Sequence, residues 1–204
     1  MDPRRRRTTD VLIAAAEEIF GERAVDTVTV GEIARRAGVA VGSIYNLFGS
    51  KTGLYASVVE RALDADLMYM DRAYTDDRGP VEQIRAAADQ YATFYVDHPE
   101  YFRMLAFPAD PGTYPAGREV ADRLARRVDQ QNSRLADALR RGMDAGDLVA
   151  GDPEELATAL WASWNGVISL GWRPDGLRRT EAELRSLLRT MTEALTHGLV
   201  PRAG

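Results

Sequence analysis

The stretch TVGEIARRAGVAVGSIYNLFGSK, Thr29 to Lys51, holds two short apolar runs hinged on a glycine. Thr29 and Glu32 have the spacing of a capping box, which satisfies two orphan N–H groups at a helix start. Counting from Gly38, Ala34 lies four residues back and Ile33 five; Val39 follows at once, Ile44 lies six on and Leu47 nine on. Two helices crossing steeply need a small residue where they touch, which Ala34 supplies. The tight turn between them needs a residue that takes φ > 0 without strain, which Gly38 supplies. Ile33, Val39, Ile44 and Leu47 then fill the space beneath. Val41, Gly42, Ser43, Tyr45 and Asn46 remain on the outer face of the second helix. This is the spacing of a helix-turn-helix, whose second helix enters the major groove of double-stranded DNA.

A DNA-reading stretch sits oddly in a chain of 204 residues with net charge -5. The acid, however, is uneven. Residues 1–59 hold eight Arg/Lys against seven Asp/Glu, and residues 60–204 hold 18 against 24. A near-neutral segment can meet phosphates while an acidic remainder keeps the protein dispersed. With no cysteine, disulfides, thiolate zinc sites and cysteine nucleophiles are excluded. No apolar run approaches the ~18 residues of a membrane span, so no membrane partner is expected. MDPRRRRTTD (1–10) has no apolar region behind it like that of a secretory signal, and a cytoplasmic location follows as the expectation.

Outward from the quoted stretch, nearly every segment has helical period. Val11, Leu12, Ala15, Ala16, Ile19 and Phe20 form one apolar stripe. Ser50 caps a long helix running to about Tyr74, and TDDRGP (75–80) links it to a helix over Val81–Asp97. A short helix over Glu100–Phe107 precedes a proline-rich loop, and a long arginine-rich helix spans Glu119–Ala145. Asp152 and Pro153 open a helix running to about Trp172, and Thr180 with Glu183 boxes the start of a last helix reaching His197. No segment alternates with period two. The expectation is an all-α fold of about nine helices, residues 1–52 forming the helix-turn-helix domain with a basic arm and 53–204 a second helical domain.

Thr29 to Leu54 follows the pattern T-V-x-x-I-A-x-x-A-G-V-x-x-G-S-I-Y-x-x-F-x-x-K-x-x-L, and the chain thereby resembles the tetracycline-repressor-like (TetR) family of bacterial regulators over roughly residues 8–60. The resemblance implies a homodimeric regulator, most often a repressor, released from a palindromic operator by a small-molecule effector. Thr29 would cap the second helix and could give its hydroxyl to a phosphate. Lys51 would add a point charge and Tyr45 a hydroxyl on a rigid arm. Ser43 and Asn46 would read base edges, asparagine suiting adenine, and Val41 would touch a thymine methyl beside Gly42. Arg4, Arg5, Arg6 and Arg7 would form a mobile basic arm. Two positions depart from the family. Ala40 stands where Ser or Thr often starts the recognition helix, and Ala24–Val25 stand where glycine and an aromatic usually follow helix 1.

Leu184, Leu187, Leu188, Met191, Leu195 and Leu199 stripe the last helix, and Leu156, Leu160, Trp164, Val167 and Ile168 stripe its neighbour, where Gly166 and Gly171 permit close approach. The resemblance turns these stripes towards a four-helix dimer interface; as bare sequence they suit a core equally. Tyr91, Phe94, Phe102, Met104, Phe107, Trp161, Trp164 and Asn165 are the expected lining of an apolar, aromatic effector cavity, with plain core packing as the other reading of each. No cofactor or metal is expected. An enzyme finds little support: His98 precedes a helix-breaking proline, His197 sits in a last helical turn, and Asp64, Asp66, Asp71, Asp76 and Asp77 fit no ligand set and read as a solvated face. The remaining rival is a helical dimeric interaction module that no longer binds DNA, which would need neither Tyr45 nor Lys51.

Overall fold

The computed structural model describes residues 2–23, 25–101 and 117–199. Among the described residues there are nine α-helices and no strand. They are α1 (Pro3–Glu22), α2 (Val30–Ala37), α3 (Gly42–Phe48), α4 (Lys51–Asp71), α5 (Pro80–Asp97), α6 (described over 99–101), α7 (Gly117–Asp144), α8 (Pro153–Ser169) and α9 (Glu181–Leu199). Single 3₁₀ turns occupy Val25–Thr27 and Leu170–Trp172. The second of these ends the eighth helix three residues earlier than its apolar pattern suggests.

The caps explain the boundaries. The Asp152 carboxylate accepts from the N–H groups of Glu154 and Glu155 at 3.0 Å each, ahead of Pro153. Thr180 and Glu183 close a reciprocal box at the start of α9. Helix α1 begins at Pro3, whose fixed φ suits a first helical position, with the Asp2 side chain accepting from Arg4 N–H at 3.1 Å. The expected mobile arm is therefore corrected: Arg4–Arg7 form the first turns of α1. The family's glycine after helix 1 is also dispensable. α1 ends on extended Arg23 (φ -134°), whose N–H still reaches Ile19 O, so no left-handed cap is required. Ala24 lies outside the described residues.

The chain forms two compact units: residues 1–65 with 98–126, and residues 66–97 with 127–204. The break expected after residue 52 falls in the first turn of α4, whereas the units part further along that helix, after Ala65. The first half of α4 stays with the helix-turn-helix because Leu54, Tyr55, Val58 and Ala62 are buried there, with Tyr55 edge-on to Phe20 of α1 at 5.3 Å. In that unit Leu12, Ala16, Val28, Ile33, Ala34 and Ile44 complete the core. In the other, α5 packs on α8 and α9 around Ile84, Phe94, Leu135, Leu139, Leu160, Ile168, Leu184 and Leu188. Each such side chain contributes about 1.5–3 kcal/mol on leaving water.

Candidate nucleic-acid interface and effector cluster

Helix α2 ends as its spacing predicts. Gly38 adopts φ 69°, its N–H meets Arg35 O at 3.2 Å, and Val39 N–H reaches Ala34 O at 3.0 Å. This paired closure needs a residue at ease in the left-handed region. Ile33, Ala34 and Ile44 are buried as expected, whereas Val39 and Leu47 are only half-buried. On the opposite side of α3, Tyr45 is 52% and Val41 40% exposed, and Gly42 and Asn46 are exposed as well. Ser43 is half-buried. The recognition helix carries no side-chain cap, in keeping with alanine at position 40.

The turn before α2 is clamped twice, and both clamps change the reading of a candidate residue. Thr29 Oγ1 accepts from Glu32 N–H at 3.2 Å and gives its one hydrogen to Glu32 Oε2 at 2.8 Å, so that hydroxyl is not free for a phosphate. Arg23 Nη1 lies 2.8 Å from the Glu32 carboxylate and, with the Thr29 N–H and hydroxyl, holds its pKa at about 2. Lys51 Nζ donates to Val25 O and Val28 O, each at 2.8 Å. The ammonium thus closes the 25–28 turn onto α4 rather than projecting into solvent. Lys51→Ala is expected to leave two half-buried carbonyls without a donor and to cost about 1–3 kcal/mol, read as a lower denaturant midpoint. An unchanged midpoint would return Lys51 to the phosphate-binding role.

One contact in this unit has no sequence signal beyond the bare letter. A Cβ on Gly53 would stand 2.1 Å from Phe48 O, so α4 can pass under the end of α3 only with glycine there. Arg4 to Arg7 are all exposed at the positive end of α1. Four cations at a helix N-terminus oppose the helix dipole, at ~0.3–1 kcal/mol each at low salt. Folding gives no reason to keep them there.

Of the expected effector residues, the structure brings together Tyr91, Phe94, Trp161, Trp164 and Asn165, while Phe102, Met104 and Phe107 lie outside the described residues. Tyr91 donates its hydroxyl to Asn165 Oδ1 at 2.7 Å and hydrogen-bonds Trp161; its ring lies 5.9 Å from that of Trp164. Burial, with the nearby Asp66 carboxyl, pushes the Tyr91 phenol well above its ordinary range. Trp164 Nε1 donates to buried Thr192 at 3.1 Å, and Phe94 is buried against Tyr69. Beside Tyr74 and Arg134 an open groove of about 390 Å³ is lined also by Asp137, Arg140 and Arg141. None of the expected residues lines it.

Asp64, Asp71, Asp76 and Asp77 are exposed, as a solvated face requires. Asp66 is not part of that face: its Oδ1 is shielded from water and has no hydrogen-bond partner. Burial raises its pKa to about 7 against the opposing pull of Arg134. Among the described residues no group of three or more acidic or histidine side chains could hold a metal, and no helix is long and apolar enough to cross a membrane.

The stripes on α8 and α9 split between two faces. Leu160, Trp164 and Ile168 on α8, and Leu184 and Leu188 on α9, are buried in the chain's own core. Leu187 and Leu195 are 38% and 37% exposed, Met191 lies half-buried between them, and the Leu199 side chain lies outside the description. The outward side of α8 is small: Thr158, Ala159, Ala162 and Gly166. Gly171 serves the chain itself, since a Cβ there would meet the Tyr95 hydroxyl at 2.2 Å. A Cβ on Gly166 would meet nothing within 4 Å.

Two family models cover this architecture: the tetR family of bacterial regulatory proteins over residues 12–58 and the tetracyclin repressor-like C-terminal domain over residues 84–195. The second alone matches more than half of the chain, which therefore belongs to the TetR family. The transcriptional activator FasR of Mycolicibacterium smegmatis is 34% identical over 116 residues, 55% of this chain and 51% of that one. The chain thus spans about half the length of the first curated relatives it matches. The transcriptional regulator AcuR of Cereibacter sphaeroides is 28% identical over 173 residues, 81% of this chain and 78% of its own. The structure of SmeT, the repressor of the Stenotrophomonas maltophilia multidrug efflux pump SmeDEF, superposes with TM-score 0.71 at 26% identity, over 96% of this chain and 91% of that one.

Proposed function

We propose that the chain is a ligand-responsive transcriptional regulator that binds a palindromic operator as a homodimer and leaves it when a small apolar or aromatic effector binds. The observation that carries this is the exposed face of α3, with Tyr45, Asn46, Val41 and Gly42 turned outward over the buried Ile33–Ala34–Ile44 layer. Asn46 suits an adenine edge and Tyr45 a phosphate. Arg4–Arg7, unfavourable where they stand for α1 itself, supply phosphate charge, and dimerisation doubles every such contact in an acidic protein. Residues 1–52 carry the DNA-reading function, and residues 53–204 carry effector binding and dimerisation. Repression rather than activation follows SmeT, matched along 91% of its length, over FasR, matched along 51%. The protein works in the cytoplasm, where the operator is.

The test is selection of bound fragments from the host genome by the full chain at ~0.15 M salt. A Tyr45→Ala/Asn46→Ala variant serves as control, because substituting Lys51 would disturb the 25–28 turn as well. Enrichment of a palindrome that the variant loses supports the reading. Equal, unselective recovery by both proteins favours the interaction module.

A further inference from the structure

Three arginines of α7 line the open groove beside Tyr74, and one of them is paired differently from the others. Arg134 bonds Asp71 at 2.8 Å, and Arg140 is paired with Asp137 and Glu154. Among the described residues Arg141 has no carboxylate partner: its Nε donates to Asp137 O at 3.3 Å and its Nη2 to Gln83 Oε1. A guanidinium carries five N–H donors, so these bonds leave three unspent, on both terminal nitrogens.

That guanidinium is also held in place. Gln83 is 3% exposed, and its own amide donates to Thr75 O at 2.8 Å. One buried glutamine thus ties Arg141 to the link between α4 and α5. Arg78 clamps the same link by donating to Ala73 O at 3.1 Å. Beside Arg141, a Cβ on Gly142 would meet Leu148 Cδ1 at 2.7 Å, so the backbone there is closely packed as well. A buried amide oxygen needs one donor, and a guanidinium fork is more than Gln83 requires.

The groove supplies room and selects the ligand. All of its lining residues belong to the second unit, and about 390 Å³ suits an organic molecule far better than a bare inorganic oxyanion. Part of that lining is a flat stack, the Arg134 guanidinium lying 4.6 Å above the Tyr74 ring. Asp137 stands in the same groove, and its charge disfavours a second negative charge on a ligand. We propose that this groove binds an aromatic monocarboxylate, its carboxylate gripped through two N–H groups of Arg141 and its ring against the Tyr74–Arg134 stack. The site shares no residue with the aromatic cluster around Tyr91, and it stands apart from the proposed binding of DNA.

The experiment is calorimetric titration of the full chain with 2-naphthoate, 2-naphthylmethanol, 2-naphthylmethylammonium and inorganic phosphate in a dilute chloride buffer. 2-Naphthoate is expected to bind at least ~10-fold more tightly than each of the others. Arg141→Lys keeps the charge and a donor for Gln83 but loses the planar fork. Its preference for 2-naphthoate over the alcohol should fall to within about threefold. A measurement without substitution runs beside it: 2-naphthoate, unlike the alcohol, should slow modification of Arg141 by phenylglyoxal in the parent protein. Equal binding of acid and alcohol, tighter binding of the cation or of phosphate, or binding of no probe would overturn the proposal. So would a preference that survives Arg141→Lys, or modification of Arg141 that 2-naphthoate does not slow.

Discussion

Tyr45→Ala/Asn46→Ala is expected to weaken binding to the selected operator by roughly 30-fold to 10⁴-fold and to leave stability within about 0.5 kcal/mol. Both side chains are exposed on α3, and among the described residues neither makes a hydrogen bond that the fold would lose. A good base or phosphate contact is worth ~1–3 kcal/mol; counting Tyr45 and Asn46 together as one such contact per subunit, a dimer loses it twice, a deficit of about 2–6 kcal/mol. Ile44, immediately before them in sequence, points the other way and is fully buried; the variant therefore probes the outer face alone. Binding to unrelated DNA should fall much less, because Arg4–Arg7 remain. A loss of less than threefold on the operator, with folding intact, would mean that α3 does not read bases.

The letters 29–51 made this face legible because a helix-turn-helix is a local object. Its turn, small contact residue and buried spacers all lie within one stretch, and each has one steric solution. The helix starts at Thr29, Asp152 and Thr180 were legible for the same reason, since a cap is decided by residues two or three apart. Three things were not legible. Lys51 and Thr29 looked like phosphate ligands because no sequence shows a side chain spent on its own backbone, as Lys51 is on Val25 O and Val28 O. Asp66 looked like one of several solvated acids, and only its burial in the fold, which no spacing announces, separates it from exposed Asp64 and Asp71. The leucines of α9 looked like one stripe, yet Leu184 and Leu188 face inward while Leu187, less than one turn from both, and Leu195, two turns further on, face outward. Periodicity finds a helix's apolar residues; it does not say which of two partners each will meet.

Leu187→Glu/Leu195→Glu is expected to convert a dimer to monomers by sedimentation and to cost most of the operator affinity. Each leucine is already largely covered, so finishing its burial against a partner is worth about 1 kcal/mol. Two per subunit in a two-fold interface give ~4 kcal/mol, about three decades in dissociation constant, before counting the carboxylates that the variant would bury. Operator affinity falls because half-sites bound by unlinked monomers lose the effective concentration that joins them. Charge can also unfold a helix, so a second variant carries the opposite sign on stability. Gly166 sits exposed in the interior of α8, where glycine costs ~1 kcal/mol relative to alanine, and a Cβ there touches nothing in its own chain. Gly166→Leu should therefore raise the unfolding midpoint of the isolated subunit while holding a partner helix away from Thr158, Ala162 and Leu187. A monomer that is more stable than its parent and no longer binds operator could arise only if that glycine is kept for a second copy of the chain. A dimer unaffected by all three substitutions would place the interface elsewhere and leave the glycine without a physical account.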